Sequence, residues 1–470
     1  MLLITEQSSQ FLADLSVRIQ IILYLQAARD LVMKKLIALT SVLIATNAMA
    51  ADLNDIYQLS LSNDAELASA KSKRDVGDFQ VDLARAALLP QISIGATQSD
   101  TTFDIDDGPK IETDAFSYNA TISQTLFNLN SWYIYQAAAS GGDASNLEFL
   151  LSEQQLILRS AEAYFNVLRQ KENLETAQAE EKAVKRQLEQ TQQRFEVGLI
   201  AITEVHEAEA SYDLSYANLI GQEAALDISF EALEQLTGKQ FTELNSLKTD
   251  IDYITPDQPV NHWVEQGMTR YAGIQIAKQG VRASEYTKKA GWSAYAPQVD
   301  AQFSYVDGEQ PSGSQVLEGT MTNLTITAKI PLFAGGSNYA RAKQAASKIT
   351  QASADLDLQQ RTVKNNIRSL YRKVQTDVLT IKARKRATVS SRSALEATQT
   401  GYEVGTRNIV EVLNAQRNLF SAQRDYANAR YDYILDILNL KFFSGTLGEA
   451  DIAQLNLWLT SAKPAINPQA

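Results

Sequence analysis

Apolar and polar residues alternate without interruption through FSYNATIS (116–123) and NLTITAKIPL (323–332). QISI (91–94) and QVDAQFSY (298–305) keep the same period of two. That period gives a strand one apolar and one polar face. It predicts strands at about 90–103, 115–127, 297–306 and 322–333, joined into two hairpins by acidic Gly/Pro loops at 104–114 and 307–319.

A second pattern has a period of 3.5. Leu147, Leu151, Gln154, Leu158, Ala161, Phe165 and Leu168 recur at alternating spacings of four and three. Val205, Tyr212, Leu219, Leu226 and Leu233 then repeat every seven residues, as do Val412, Leu419, Tyr426, Tyr433 and Leu440. This is the seam of a coiled coil. It predicts helices at about 131–197, 203–237, 338–404 and 409–443. The two longest would each reach about 100 Å at ~1.5 Å per residue, where ordinary globular helices average about three turns.

The patterns occur twice. FEVGLIAITEVHEAE (195–209) and YEVGTRNIVEVLNAQ (402–416) align at an offset of 207, as do Pro90 with Pro297 and Gly238 with Gly445. The order of landmarks is shared: proline, alternating strands, Leu-Phe, a long polar stretch, then a Glu-Val-Gly turn. A repeat this long is a duplicated domain, not a solenoid unit. The expected layout is a first repeat at 51–240, a linker at 241–260, a second repeat at 261–446 and a C-terminal segment at 447–470. Gly198 and Gly405 stand where each long helix must stop and reverse, a place that favours positive φ.

Composition narrows the function classes. Without cysteine there is no disulfide, thiolate ligand or thiol nucleophile. The two histidines, His206 and His262, are far apart in sequence and offer little to a metal or a catalytic triad. No Gly-rich phosphate loop is evident, so an enzyme is not expected, and no cofactor or metal is called for. A net charge of −12 disfavours nucleic acid. MKKLIALTSVLIATNAMA (33–50) has the basic, apolar and small-x-small regions of a secretory signal, and its apolar run is well short of the about 20 residues a membrane helix needs. Residues 1–32 are then read as an upstream extension, with Met33 the true start.

Strands of this length suit a tilted bilayer crossing of ~9–11 residues, and their polar faces could line water. Four strands cannot close a barrel, because about eight is the minimum, and open edges in lipid leave backbone groups unpaired. If the strands span a membrane, several chains must share the barrel. A soluble α+β protein with hairpins packed on its own helices fits the alternation too.

YEVGTRNIVEVLNAQRNLFSAQRDYANARYDYILDILNLKFFSGTL (402–447), QLEQTQQRFEVGLIAITEVHEAEASYD (187–213), LRSAEAYFNVLRQ (158–170), LLPQ and PLFAGG resemble, in order, the signatures of the TolC family of outer-membrane efflux proteins. The resemblance implies a mixed α and β membrane protein: a homotrimer whose twelve-stranded β-barrel, four strands per chain, continues into a long α-helical coiled-coil barrel. A small α/β equatorial belt would come from about 239–262 and the C-terminal tail. It implies the exit duct of tripartite efflux and type I secretion systems in a Gram-negative outer membrane, reaching into the periplasm. Implied partners are outer-membrane lipid, a periplasmic adaptor (membrane fusion) protein and an inner-membrane efflux pump or ABC exporter. A soluble periplasmic adaptor or scaffold is the competing reading of the coiled coils.

The resemblance also implies a site. Gly198 and Gly405 would form the periplasmic tips. Tyr402 and Arg407, whose first-repeat counterparts are Phe195 and Ile200, would bond to Gln193, Thr203 and Glu204 and hold the entrance shut. Glu411 and Asn414 would line the constriction. The family carries aspartates at both of those positions, so only Glu411 would supply a charged ring here. The bland alternative is a solvated Arg407–Glu411 helix pair worth about 0.3–0.5 kcal/mol. His206, beside Glu204, Glu207 and Glu209, reads as a solvated face, the tyrosines at 426–433 as seam packing, and Trp132 as an interfacial ring.

Overall fold

The computed structural model describes residues 51–460 apart from 105, 107–109 and 313–314. The expected signal at 33–50, the extension at 1–32 and the tail beyond 460 lie outside the described residues.

Two helices open the fold, α1 (Leu53–Asn63) and α2 (Ala65–Ala86), each started by an aspartate. The carboxylate of Asp52 accepts from the amide of Asp55, and that of Asp64 from the amide of Leu67, so each takes up one of the otherwise unpaired first-turn donors. Strands β1 (Gln91–Phe103) and β2 (Ile111–Asn128) follow, then α3 (Leu129–Glu196) and α4 (Ile202–Thr237). After the short β3 (Ser246–Leu247) the plan repeats: α5 (Val260–Arg270), α6 (Ala272–Ser293), β4 (Gln298–Ser312), β5 (Gln315–Lys329), α7 (Ser337–Glu403) and α8 (Ile409–Phe443). Helix α9 (Glu449–Asn456) and β6 (Leu459–Thr460) end the described chain.

The four long strands form one antiparallel sheet in the order β1-β2-β4-β5. Its register separates two chemistries. Ile92, Ile122, Phe303 and Leu324 share one cross-strand row, while the adjacent row is Ser93, Thr121, Ser304 and Asn323. Successive rows point to opposite faces, so one face of the sheet is apolar and the other hydroxyl- and amide-lined. The strands run further than the alternation suggested. β2 begins at Ile111, and β4 and β5 stay paired out to Ser312 and Gln315, inside the segments read as loops. Ladder hydrogen bonds need only backbone, so a hairpin outlasts the side-chain pattern that reveals it.

Each strand is joined to a helix on the same end of the sheet. Asn128 ends β2 and caps α3 directly, its side chain accepting from the amide of Ser131 at 3.1 Å. Below the sheet α2 packs on α3, α3 on α6 and α6 on α7, the order of the strands they adjoin. Small residues allow these approaches. A Cβ on Gly77 would fall 2.4 Å from the Ser145 hydroxyl oxygen, and one on Gly142 would fall 2.7 Å from Val81. Gly142 therefore sits inside α3, although two adjacent glycines would ordinarily weaken a helix.

Helix α3 has 68 residues and α7 has 67, or about 100 Å each. The far part of α3 pairs with α4 and that of α7 with α8. Among the described residues no helix is long and apolar enough to cross a membrane. The main core lies where α1, α3, α4, α7, α8 and α9 converge, around Tyr164, Phe165, Leu233, Ile367, Ile434 and Leu440. Ser246–Leu247 pairs with Leu459–Thr460 against this core and forms a waist.

Candidate functional site

The two long helices end in the same way. After α3, the amide of Gly198 donates to Phe195 O and that of Leu199 to Arg194 O. After α7, Gly405 donates to Tyr402 O and Thr406 to Gly401 O. Gly198 (φ 78°) and Gly405 (φ 81°) supply the left-handed residue this closing motif requires. Open space surrounds both, so conformation rather than crowding selects glycine here.

Chemistry distinguishes the copies. Tyr402 is 9% exposed and packs with Val184, Ile409, Val412 and Leu413 in a small core separate from the main one. Its first-repeat counterpart Phe195 is 40% exposed. The Tyr402 hydroxyl donates to Glu204 Oε2 at 3.3 Å, and the Arg194 guanidinium lies 4.8 Å from the centre of its ring. Gln193, Arg194 and Tyr402 line one cleft of about 500 Å³ between the ends of α3 and α7. Four expected residues, Gln193, Glu204, Tyr402 and Arg407, thus lie at one end of the molecule.

Within the chain Arg407 makes the Glu411 pair of the alternative reading rather than a bond to Gln193, Thr203 or Glu204. It lies in the turn before α8 and pairs with Glu411, an exposed i, i+4 contact. Glu411 is held from its backbone too, its amide donating to the capping Asn408 side chain at 3.0 Å. In the first repeat Ala201 occupies the capping position and supplies no side-chain bond. Thr203 and Asn414 are exposed, and Glu411 is half-buried. His206 is exposed, with Nδ1 3.1 Å from Glu209.

Sequence reasoning missed a second cluster, at the waist. Arg430 on α8 is buried and held from several elements: its Nε donates to the Tyr253 hydroxyl at 3.1 Å and its Nη2 to Lys248 O at 2.8 Å. Its Nη1 faces Glu172 of α3 at 3.5 Å. Tyr431 donates to the same Glu172 carboxylate at 2.8 Å. Burial pushes the Glu172 carboxyl above its usual range, against the pull of Arg430 and the Tyr431 hydroxyl. Tyr433 donates to Ile254 O at 2.8 Å, so residues 248–254, which also supply Lys248 O and Tyr253, form a strap fastened to α8. Half-buried Asp377 of α7 faces Asp436 of α8, whose carboxylate also takes Lys373 at 3.1 Å. Burial and the Asp436 charge push Asp377 up to about 7.

A family model described as outer membrane efflux protein matches residues 56–239 and 266–446, close to the two halves of the internal repeat. Outer membrane protein TolC of Vibrio cholerae is 34% identical over 425 residues, covering 89% of this chain and 96% of its own. The proteases secretion protein PrtF of Dickeya chrysanthemi is 28% identical over 450 residues, covering 92% of this chain and 97% of its own. Among solved structures, the Campylobacter jejuni CmeC outer membrane channel superposes with a TM-score of 0.74 at 18% identity, covering 87% of this chain and 90% of that one.

Proposed function

The chain belongs to the outer membrane efflux protein family, and from that premise we propose how its parts work as a gated duct. It is an exit duct for efflux and secretion, seated in the outer membrane of a Gram-negative cell and extending into the periplasm. Its family and fold are those of channel proteins rather than enzymes.

The observation that carries the mechanism is the sheet register. A row of Ile92, Ile122, Phe303 and Leu324 beside a row of Ser93, Thr121, Ser304 and Asn323 suits lipid on one side and water on the other. The edges, β1 and β5, each have one free side. Three chains joined edge to edge give twelve strands and a closed homotrimeric barrel without unpaired backbone in lipid. The helices continue each strand downward, so the same closure extends the wall into the periplasm, and two repeats in three chains give a pseudo-sixfold tube.

The end turns at Gly198 and Gly405 are the periplasmic tips. Tyr402 joined to Glu204, with Arg407 and Glu411 beside it, forms the latch, and Gln193 and Thr203 present further acceptors. Glu411 of three chains forms the charged ring of the constriction, with Asn414 as an uncharged ring near it. Each exposed pair contributes at most ~1 kcal/mol, and three copies give a few. Moving a gate from 1:99 to 99:1 takes about 5.5 kcal/mol. The closed duct is therefore held weakly, and contact with a periplasmic adaptor and an inner-membrane pump or ABC exporter is enough to open it. The duct itself conducts passively.

Purified protein in a planar bilayer tests this reading. Wild type should give small, cation-preferring single-channel steps, and the double variant Tyr402→Phe, Arg407→Ala should give larger ones. Steps of unchanged size in the double variant would remove the latch assignment; no steps at all from either protein would remove the duct.

A further inference from the structure

A cavity of about 630 Å³ opens directly below the sheet, where α3, α6 and α7 meet. It touches Leu129, the residue after β2, and Ala296, two residues before β4. Helix α6 contributes Glu285, Lys288, Lys289 and Trp292, spaced so that all four share one helical face. Tyr133 and Leu129 supply the facing wall.

The walls are fixed. Asn130 donates to Ala290 O at 2.7 Å, locking α3 to α6. Helix α6 packs on α7 here: a Cβ added at Gly291 would lie in ordinary contact, 3.5 Å from Ala342 Cα. The Lys289 ammonium lies 5.0 Å from the centre of the Tyr286 ring and 6.0 Å from that of Tyr133, and the two rings stack at 6.5 Å. Among the described residues, neither Lys288 nor Lys289 has a carboxylate within ion-pair distance. Lys289 is thus placed over two aromatic rings, and neither ammonium group is ion-paired although the Glu285 carboxylate lines the same cavity.

We infer that this cavity binds the headgroup of a phospholipid from the periplasmic leaflet. The inference rests on the outer-membrane placement of the sheet, which puts the cavity at the leaflet's polar boundary. The phosphate meets Lys288 and Lys289, while the acyl chains follow Leu129 and Trp292 upward onto the apolar strand face. Aromatic rings suit this depth, having an apolar body and a polar rim. Glu285 adds a preference. One carboxylate beside two ammonium groups matches a headgroup with a phosphate and a terminal amine, so phosphatidylethanolamine should be favoured over phosphatidylglycerol. Bound there, the lipid fills the junction between barrel and helices and stiffens it.

Native mass spectrometry of the full-length protein, stripped of lipid and titrated with each phospholipid in detergent, tests the inference. Wild type should retain phosphatidylethanolamine more tightly than phosphatidylglycerol and should not retain inorganic phosphate. Lys288→Gln and Lys289→Gln should each weaken lipid retention about 5-fold, the worth of one basic residue at an anionic surface. Glu285→Gln, which keeps both lysines, should abolish the preference between the two lipids. Equal retention by wild type and the double lysine variant, at unchanged melting temperature, would overturn the site. Retention of inorganic phosphate alone would show an anion site and would overturn the lipid. Fractionation of the same cells separates this failure from a wrong placement: protein absent from the outer membrane would refute the duct reading first.

Discussion

Arg430, within α8 at the waist, and Arg407, in the turn that precedes α8 at the tip, behave oppositely. Arg430 is buried, with donors spent on Tyr253, the Lys248 carbonyl and Glu172. Arg407 is exposed and meets a single carboxylate four residues away. Burying a charge is costly unless every partner is present, so Arg430 admits one arrangement of α3, α8 and the strap. An exposed pair tolerates many arrangements. The helix is therefore anchored at the waist and free to lean at the tip, which suits a gate moved by partners at its end.

The sharpest way to break the contrast is to remove each arginine in turn. Arg430→Ala leaves half-buried Glu172 without its cation and the Lys248 carbonyl without its donor, and should cost about 3–5 kcal/mol. Arg407→Ala should cost only about 0.3–0.5 kcal/mol. Denaturant melts of the two variants measure the difference, and comparable losses would refute an anchored waist.

The glycines offer a second, smaller comparison. Gly405 at the tip and Gly445 at the waist both have positive φ, 81° and 68°. A Cβ at Gly405 meets open space, so Gly405→Ala should cost about 1 kcal/mol for the left-handed backbone alone. At Gly445 the same atom would lie 2.7 Å from the Arg270 carbonyl carbon. Overpacking adds to the conformational cost there, for about 2–4 kcal/mol in all. Thermal melts of both variants at equal protein concentration check the ranking.

The mildest effect concerns pH. Asp377 is faced by Lys373 on its own helix and by Asp432, Tyr433 and Asp436 on α8. Its carboxyl is raised to about 7 by burial and by Asp436, while an unfolded aspartate titrates near ~3.9. The folded state thus holds a proton that the unfolded state releases, and the resulting stabilisation, complete below about pH 4, is lost as pH rises through about 7. Asp377→Asn should flatten the fall in melting temperature between about pH 4 and pH 7. A variant with the wild-type slope would show that this carboxyl contributes nothing to the grip between α7 and α8.

The sequence made some of this legible and concealed the rest for identifiable reasons. Strands and long helices announced themselves because each buries or exposes a regular face. Gly198 and Gly405 were readable because one backbone conformation demands one residue type. Helices α2 and α6 were not anticipated, although Val76, Phe79 and Leu83 of α2 stand at helical spacing; that stripe is exposed in the single chain and went unused. The waist cluster was invisible, since Glu172, Tyr253 and Arg430 have no spacing relation and meet only after the chain has folded back on itself. At the tip, the Tyr402–Glu204 bond follows the resemblance. The Arg407–Glu411 pair follows from helical spacing alone.

The half-finished state of β1 and β5 has a bearing on genetics as well as on architecture. In the proposed trimer no chain can complete its own wall, so one damaged copy spoils the two sound ones it joins. In a cell making normal and edge-defective chains in equal amounts, only about one assembly in eight would contain none of the defective kind. Such alleles should therefore be dominant, sensitising a cell to toxic compounds even beside an intact gene.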